Sequence, residues 1–363
     1  MASTRSAVVV GAGVAGSSVA RELAGRGFDV TLQEQYRPGT VRSASGGDTR
    51  LLRVAHGPLE WYAASALRAL DLWRELEAET GARLLEQVGL AWLAQRHDGF
   101  EGQSRAVFDR VGVEYEWLDP GDATRLFPSL DPSGLAAVLW EPGAGVLQAR
   151  AATQALAASA ARRGARLEAA RADPAAPPAA DVVVWACGAW LPGLFPGVVE
   201  IELARRDVFF FGADPAWNTA PGFVEYDAGF YGHGDLNGLG VKVCADFGGV
   251  PVDPDMLERT PDPVLLEETR RYAARRFPGL ADTPLLGARV CQYDLSADTH
   301  FLVDRHPEQA GWWLVGGGSG HSFKHGPALA EYIADCIEDR REPEPFHALG
   351  TRAGDAGLRT GTT

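Results

Sequence analysis

Hydrophobic and polar positions alternate in a way that names most elements of the chain. Ala7–Val10 is a short apolar run that stops at glycine, Ser17–Leu23 carries helical spacing, and Phe28–Gln33 is apolar again before Glu34. That order predicts a strand, a glycine-rich turn, a helix and a second strand, a βαβ unit. Leu59–Thr80 has strong helical periodicity and halts at Gly81. From Ala82 to about Gly145 the pattern breaks into short strands and turns, with helix candidates near Gly102–Val111 and Gly121–Phe127. Ala151–Arg163 reads as an alanine-rich helix and Asp181–Trp185 as a buried strand. Val208–Phe211, Gly222–Tyr226, Gly229–Gly232 and Gly240–Cys244 alternate between Gly, Pro and Asp breaks, as strands of an antiparallel sheet do. Pro263–Phe277 is helical, Arg289–Tyr293, Phe301–Asp304 and Trp312–Val315 are strands, and Ala328–Glu338 is a last helix. Ala169–Ala180 is an Ala/Pro loop, and the stretch from His347 is expected to fray.

Composition narrows the function. A chain of 363 residues suggests about two domains. With 46% hydrophobic and 23% charged residues it can bury a large core, which excludes global disorder. The net charge of −14 argues against nucleic acid or an anionic membrane as the main partner. No apolar run approaches the ~20 residues needed to span a bilayer, and the opening residues lack a secretory pattern, so a cytoplasmic protein is expected. Cys187, Cys244, Cys291 and Cys336 are far apart, without metal spacing; free thiols and no metal site are expected. Of the 34 basic residues only Lys242 and Lys324 are lysines.

Gly11-Ala12-Gly13-Val14-Ala15-Gly16 fits G-x-G-x-x-G, directly after a strand and opening a helix. The first glycine permits the tight turn, the second lets backbone approach a pyrophosphate, and the third lets the helix pack closely. Glu34, at the end of the second strand, is placed to accept hydrogen bonds from an adenosine ribose and disfavours a 2′-phosphate. FAD or NAD is therefore expected rather than NADP, and this motif does not separate the two.

Further motifs do. They are Ser43-Ala44-Ser45-Gly46-Gly47-Asp48-Thr49-Arg50-Leu51-Leu52-Arg53, Cys291-Gln292-Tyr293-Asp294, His300-Phe301-Leu302-Val303-Asp304-Arg305-His306-Pro307, and Gly317-Gly318-Ser319-Gly320-His321-Ser322-Phe323-Lys324. With the βαβ unit, they resemble the monomeric sarcosine oxidase family. These flavoprotein amine oxidases include N-methyltryptophan oxidase, pipecolate oxidase and the nikkomycin-pathway piperideine-2-carboxylate oxidase. The resemblance runs in order to about residue 340. It implies an α/β FAD-binding Rossmann-like domain of the glutathione-reductase/D-amino-acid-oxidase type, with an α+β second domain built on a discontinuous antiparallel sheet. The expected division is 1–81, 146–197 and 285–345 for FAD, 82–145 and 198–284 for substrate, and 346–363 as a tail.

The resemblance also implies roles. Cys291 matches the cysteine bound to the flavin through a thioether, and only a thiolate is nucleophilic enough for that chemistry. Thr49 and Arg50 match positions against the flavin; Gly188 and Tyr293 belong with the cofactor, and Gly317, Gly320 and His321 would line its ring. Arg53 and Lys324 match the pair that holds the substrate carboxylate, a planar fork beside a point charge. Lys242 matches the lysine that promotes reaction with oxygen, and its place in an apolar strand favours a functional reason. Tyr231 would be an aromatic of the substrate pocket.

Two departures stand out. Asp246 replaces a histidine of the sarcosine oxidases, which suggests a different amine or an acceptor or base beside it. Ser45 and Gly46 replace two histidines, which bears on the ease of covalent attachment. The expected activity is oxidation of a secondary amine or cyclic imino acid bearing a carboxylate to an imine, with O2 reduced to H2O2, by a monomer. The alternatives are an FAD dehydrogenase passing electrons to another carrier, and a non-catalytic dinucleotide-binding protein.

Overall fold

In the computed structural model, which describes residues 4–247, 249–350, 352 and 356–358, a six-stranded sheet organises the part that contains the glycine-rich turn. Its order is Leu302–Arg305, Trp312–Gly316, Val182–Trp185, Ser6–Val10, Asp29–Glu34 and Arg166–Ala169. All neighbours are parallel except the antiparallel Leu302–Arg305/Trp312–Gly316 pair. Central strands of such a sheet are covered on both faces and read as continuous Val/Leu/Ile runs, as Val8–Val10 and Val182–Val184 do. Helix Val14–Gly25 packs on this sheet beside Ala149–Arg162 and Gly326–Ile337, and Val9, Val30, Leu32, Val184 and Ile333 share its core.

An eight-stranded sheet forms the second half, ordered Leu285–Leu295, Glu202–Phe211, Val241–Ala245, Phe230–His233, Gly222–Glu225, Leu90–Ala94, Ala137–Glu141 and Glu116–Leu118. The four strands expected to be antiparallel to one another are so, while Gly222–Val224 runs parallel to Leu90–Trp92. Leu285–Leu295, grouped above with the FAD-binding part, pairs along its length with Glu202–Phe211, with a register shift at Phe210/Phe211. An aromatic core of Phe209, Phe211, Trp217, Phe223 and Phe277 packs beneath it. A small sheet of Thr49–Leu52, Gly145–Gln148 and Leu85–Glu86 lies apart from both in pairing, and carries Thr49 and Arg50.

Two expectations need correction. The stretch from His347 does not simply fray among its described residues: His347 ends a 3-10 turn, Pro345–His347, and is fully buried, as is Leu358. The helix candidate near Gly121–Phe127 is a 3-10 turn, Asp122–Leu126. Arg166–Ala169, just ahead of the Ala/Pro loop, is an edge strand with all four residues exposed, so it carried no alternation to read.

Candidate active site

The glycine turn makes the first part of the site. Gly11 has φ +99°, and a Cβ there would lie 2.5 Å from the Ala186 carbonyl oxygen. A Cβ on Gly16 would lie 1.8 Å from the Gly11 oxygen, which is the close packing expected of the third glycine. Gly11, Gly13, Ala15, Glu34 and Gly188 line a cavity of about 1120 Å³. The Glu34 carboxylate accepts N–H bonds from Ala12 (2.8 Å) and Tyr36 (2.9 Å). Ser45, one of the two residues noted above as departing from the family's histidines, lines the same cavity and accepts from Val14 N–H, the first of the helix, at 3.0 Å. At the other, Gly46, a Cβ would fall 1.8 Å from the Thr40 oxygen, so this backbone has no room for a side chain there.

A second cavity, about 790 Å³, continues from Ser43 and is lined by Thr49, Arg50, Lys242 and Cys291. Cys291 Sγ accepts from Arg50 Nη2 at 3.6 Å, which sets a guanidinium beside the thiol. Burial pushes Cys187 up to about 12 and Cys336 up to about 11. Lys242 is 3% exposed and donates to Thr49 O and Oγ1, both at 3.2 Å. Burial holds its ammonium below the ordinary lysine range.

A third cavity, about 610 Å³, shares Arg50 with the second and is lined by Arg53, Tyr231, Asp246, Tyr293, Gly320, His321 and Lys324. Lys324 is 2% exposed, donates to His321 O at 2.7 Å, and is held well below its usual range by burial and then by Arg53. Arg53 is drawn down by burial to about 10, still charged at neutral pH. The Tyr231 and Tyr293 hydroxyls are 3.0 Å apart. Among the described residues, no carboxylate lies within 4.0 Å of either lysine ammonium. Two buried, unpaired cations are costly unless an anion or a charge-building reaction uses them.

Sixteen of the candidate positions named from the sequence thus line one of three cavities in series. Gly16 is the packing glycine, and Gly317 has its Cβ position 3.3 Å from Ser296 Cβ while its neighbours Gly316 and Gly318 face the first cavity.

The sequence reading missed Trp92 and Glu141. Arg53 lies over the Trp92 ring at 5.0 Å, and the Glu141 carboxylate accepts from Trp92 Nε1 and from the N–H groups of Val54 and Ala55. It therefore braces the residues that follow Arg53. Neither lies in a motif; both stand far along the chain from Arg53.

His56, His321 and His325 bring one ring nitrogen each within 4.8 Å of one another, a cluster the sequence did not foreshadow. Burial and then Lys324 hold all three well below the ordinary histidine range. The positive charges of Lys324 and Arg53 beside the cluster oppose a metal dication. His325 Nε2 meets His56 Nε2 at 3.3 Å, while His321 Nε2 meets Thr299 O at 2.9 Å.

Comparison with known proteins agrees with this geometry. A family profile described as FAD dependent oxidoreductase (DAO) matches residues 6–336. The chain belongs to this family. It is 27% identical over 353 residues to the monomeric sarcosine oxidase of Bacillus sp. (strain B-0618), covering 90% of each chain. It is 24% identical to the N-methyl-L-tryptophan oxidase of Yersinia pestis (strain Pestoides F), covering 94% of this chain and 97% of that one. Among solved structures, L-proline dehydrogenase from P. horikoshii superposes with a TM-score of 0.82 at 23% identity, over 95% of this chain and 96% of that one. NikD, an amino acid oxidase essential for nikkomycin biosynthesis, gives 0.75 at 23% identity, over 95% and 98%; both show a shared fold. The protein is an FAD-dependent oxidoreductase with the mixed α/β FAD-binding fold of this family. The glycine cradle, the acid at the strand end and the cavity they line all fit the cofactor. Among the described residues, no helix is long and apolar enough to cross a membrane.

Proposed function

We propose that the protein oxidises the C–N bond of a small amine that carries a carboxylate, an N-methyl amino acid or a cyclic imino acid, to the imine. The observation that carries this reading is the 610 Å³ cavity in which Arg53 and Lys324 meet Asp246 and two tyrosines. A fork and a point charge, both desolvated, suit a carboxylate, which would supply the negative charge these cations lack. Asp246 offers a carboxylate to the amine end of the same molecule. A zwitterion held at both ends presents the carbon beside nitrogen in one orientation.

Gly11, Gly13, Glu34, Thr49, Arg50 and His321 would hold FAD across the three cavities, with Cys291 as the site of a thioether. When bound, FAD supplies the two-electron chemistry, taking electrons from the substrate and giving them to O2, with H2O2 released. Lys242, fixed by Thr49, would place a positive charge where negative charge builds on dioxygen. The buried walls exclude water and so strengthen each of these charges. The assembly proposed is a monomer acting in the cytoplasm on free small molecules.

The test is a peroxide-release screen of purified protein with sarcosine, other N-methyl amino acids, proline, pipecolate and piperideine-2-carboxylate. Turnover of a carboxylate-bearing amine, with none of its decarboxylated counterpart, supports the reading; turnover of the decarboxylated amine alone overturns it.

A further inference from the structure

Residues 356–358 lie far beyond the family motifs, yet they bond to two residues that line the third cavity, Tyr226 and Arg53. Leu358 is fully buried and packs in the cluster that contains Tyr62 and Phe301. Its N–H donates to Thr299 Oγ1 (3.4 Å), and Ala356 N–H donates to Asp298 O (3.0 Å). Arg352 pins the approach through an ion pair with Asp298 at 3.2 Å and a bond to Phe301 O at 2.9 Å. Thus anchored, the segment turns two carbonyls toward residues that line the cavity. Gly357 O accepts from the Tyr226 hydroxyl at 2.8 Å, and Leu358 O accepts from Arg53 Nη2 at 3.2 Å. The other arm of the guanidinium, Nη1, is held by Ala55 O. Two backbone carbonyls and the Trp92 face therefore fix the plane of the fork, and one of those carbonyls comes from residue 358.

We propose that segment 356–358, packed behind residues that line the substrate cavity, is a positioning element for Arg53, setting how tightly a substrate carboxylate is held. The inference rests on the reading of Arg53 as a carboxylate ligand and goes beyond it, because a segment without a recognisable motif now governs that ligand. An Arg fork gives its bidentate bonds only in one plane. Freeing Nη2 from Leu358 lets the guanidinium rotate, and removing the segment lets water reach it; both weaken anion binding. Gly357 itself sits at φ +65°, where a β-branched residue is strained, so a substitution there displaces the segment without shortening the chain.

The experiment uses flavin-loaded protein in three forms: the full chain, a variant lacking 356–363, and Gly357→Val. Acetate is the probe, and its binding is read from the perturbation of flavin absorption; KM and kcat follow for an amine active with the full chain. Both variants are expected to bind acetate about tenfold more weakly and to raise KM similarly, with kcat changed by less than about twofold. Unchanged acetate affinity in Gly357→Val, or a fall in kcat at constant KM, overturns the inference. If the shortened chain loses its flavin, Gly357→Val alone decides. Failure of the underlying reading looks different: the full chain itself would then neither bind acetate nor accept a carboxylate-bearing amine.

Discussion

Lys242→Met separates the two halves of the proposed reaction. Its ammonium is buried at 3% exposure, bonded only to Thr49 among described polar partners, and 5.7 Å from the centre of the Tyr231 ring. Two unit charges about 4 Å apart at an effective dielectric of about 20 interact by about 4 kcal/mol. That stabilisation of charge building on dioxygen is worth about a thousandfold in rate. Methionine keeps the length of the side chain and removes the charge. Because burial already holds the ammonium below the ordinary lysine range, the folded environment disfavours the charged form, and its loss should not lower stability. The assay is stopped-flow absorbance: anaerobic mixing with amine measures reduction, and mixing the reduced protein with O2 measures reoxidation. Reoxidation is expected to fall about a thousandfold, with reduction nearly unchanged and a melting temperature no lower than that of the parent. Equal loss in both half-reactions, or unimpaired reoxidation, would refute the assigned role.

Other outcomes follow from the same geometry. Arg53→Lys keeps the charge but loses the fork, so the KM for carboxylate-bearing amines should rise tenfold or more, the value of one charge-assisted bond of about 1.5–3 kcal/mol; steady-state kinetics checks it. Cys291→Ser should release its flavin on acid precipitation while the parent pellet stays yellow, as absorbance of the supernatant will show. Arg276→Met leaves Glu225 buried without the 2.7 Å ion pair and should cost about 3–5 kcal/mol in a denaturant melt. Burial, then Lys242, holds His233 down at about 3. The unfolded chain therefore takes up the proton first, and stability is lost as pH falls below about 6.5. His233 alone contributes about 1.5 kcal/mol of that loss between about pH 6.5 and 5, measurable by urea melts at each pH.

How much of this was readable depended on whether a residue's role was local. The cradle was legible because strand, glycines, helix and Glu34 follow one another, and each glycine answers a close backbone approach. Lys242 was legible because a lysine in an apolar strand is anomalous in a chain with so few. Arg166–Ala169 was not, since an exposed edge strand has no buried face to impose alternation. Trp92 and Glu141 were hidden because they support Arg53 only through tertiary packing. Residues 356–358 were hidden for another reason: a Gly/Thr/Arg-rich stretch has no periodicity, and a single buried leucine with backbone bonds secures it. The histidine cluster assembles His56 with two residues from the far end of the chain, and no spacing announces that.

The most direct measurement is anaerobic titration of the purified yellow protein with the best amine from the screen, followed by its absorption spectrum. A cofactor bound across the three cavities predicts full bleaching of the flavin band by a stoichiometric carboxylate-bearing amine and return of the colour on admitting air. A band that stays unbleached with every such amine, while a chemical reductant bleaches it readily, would contradict the account.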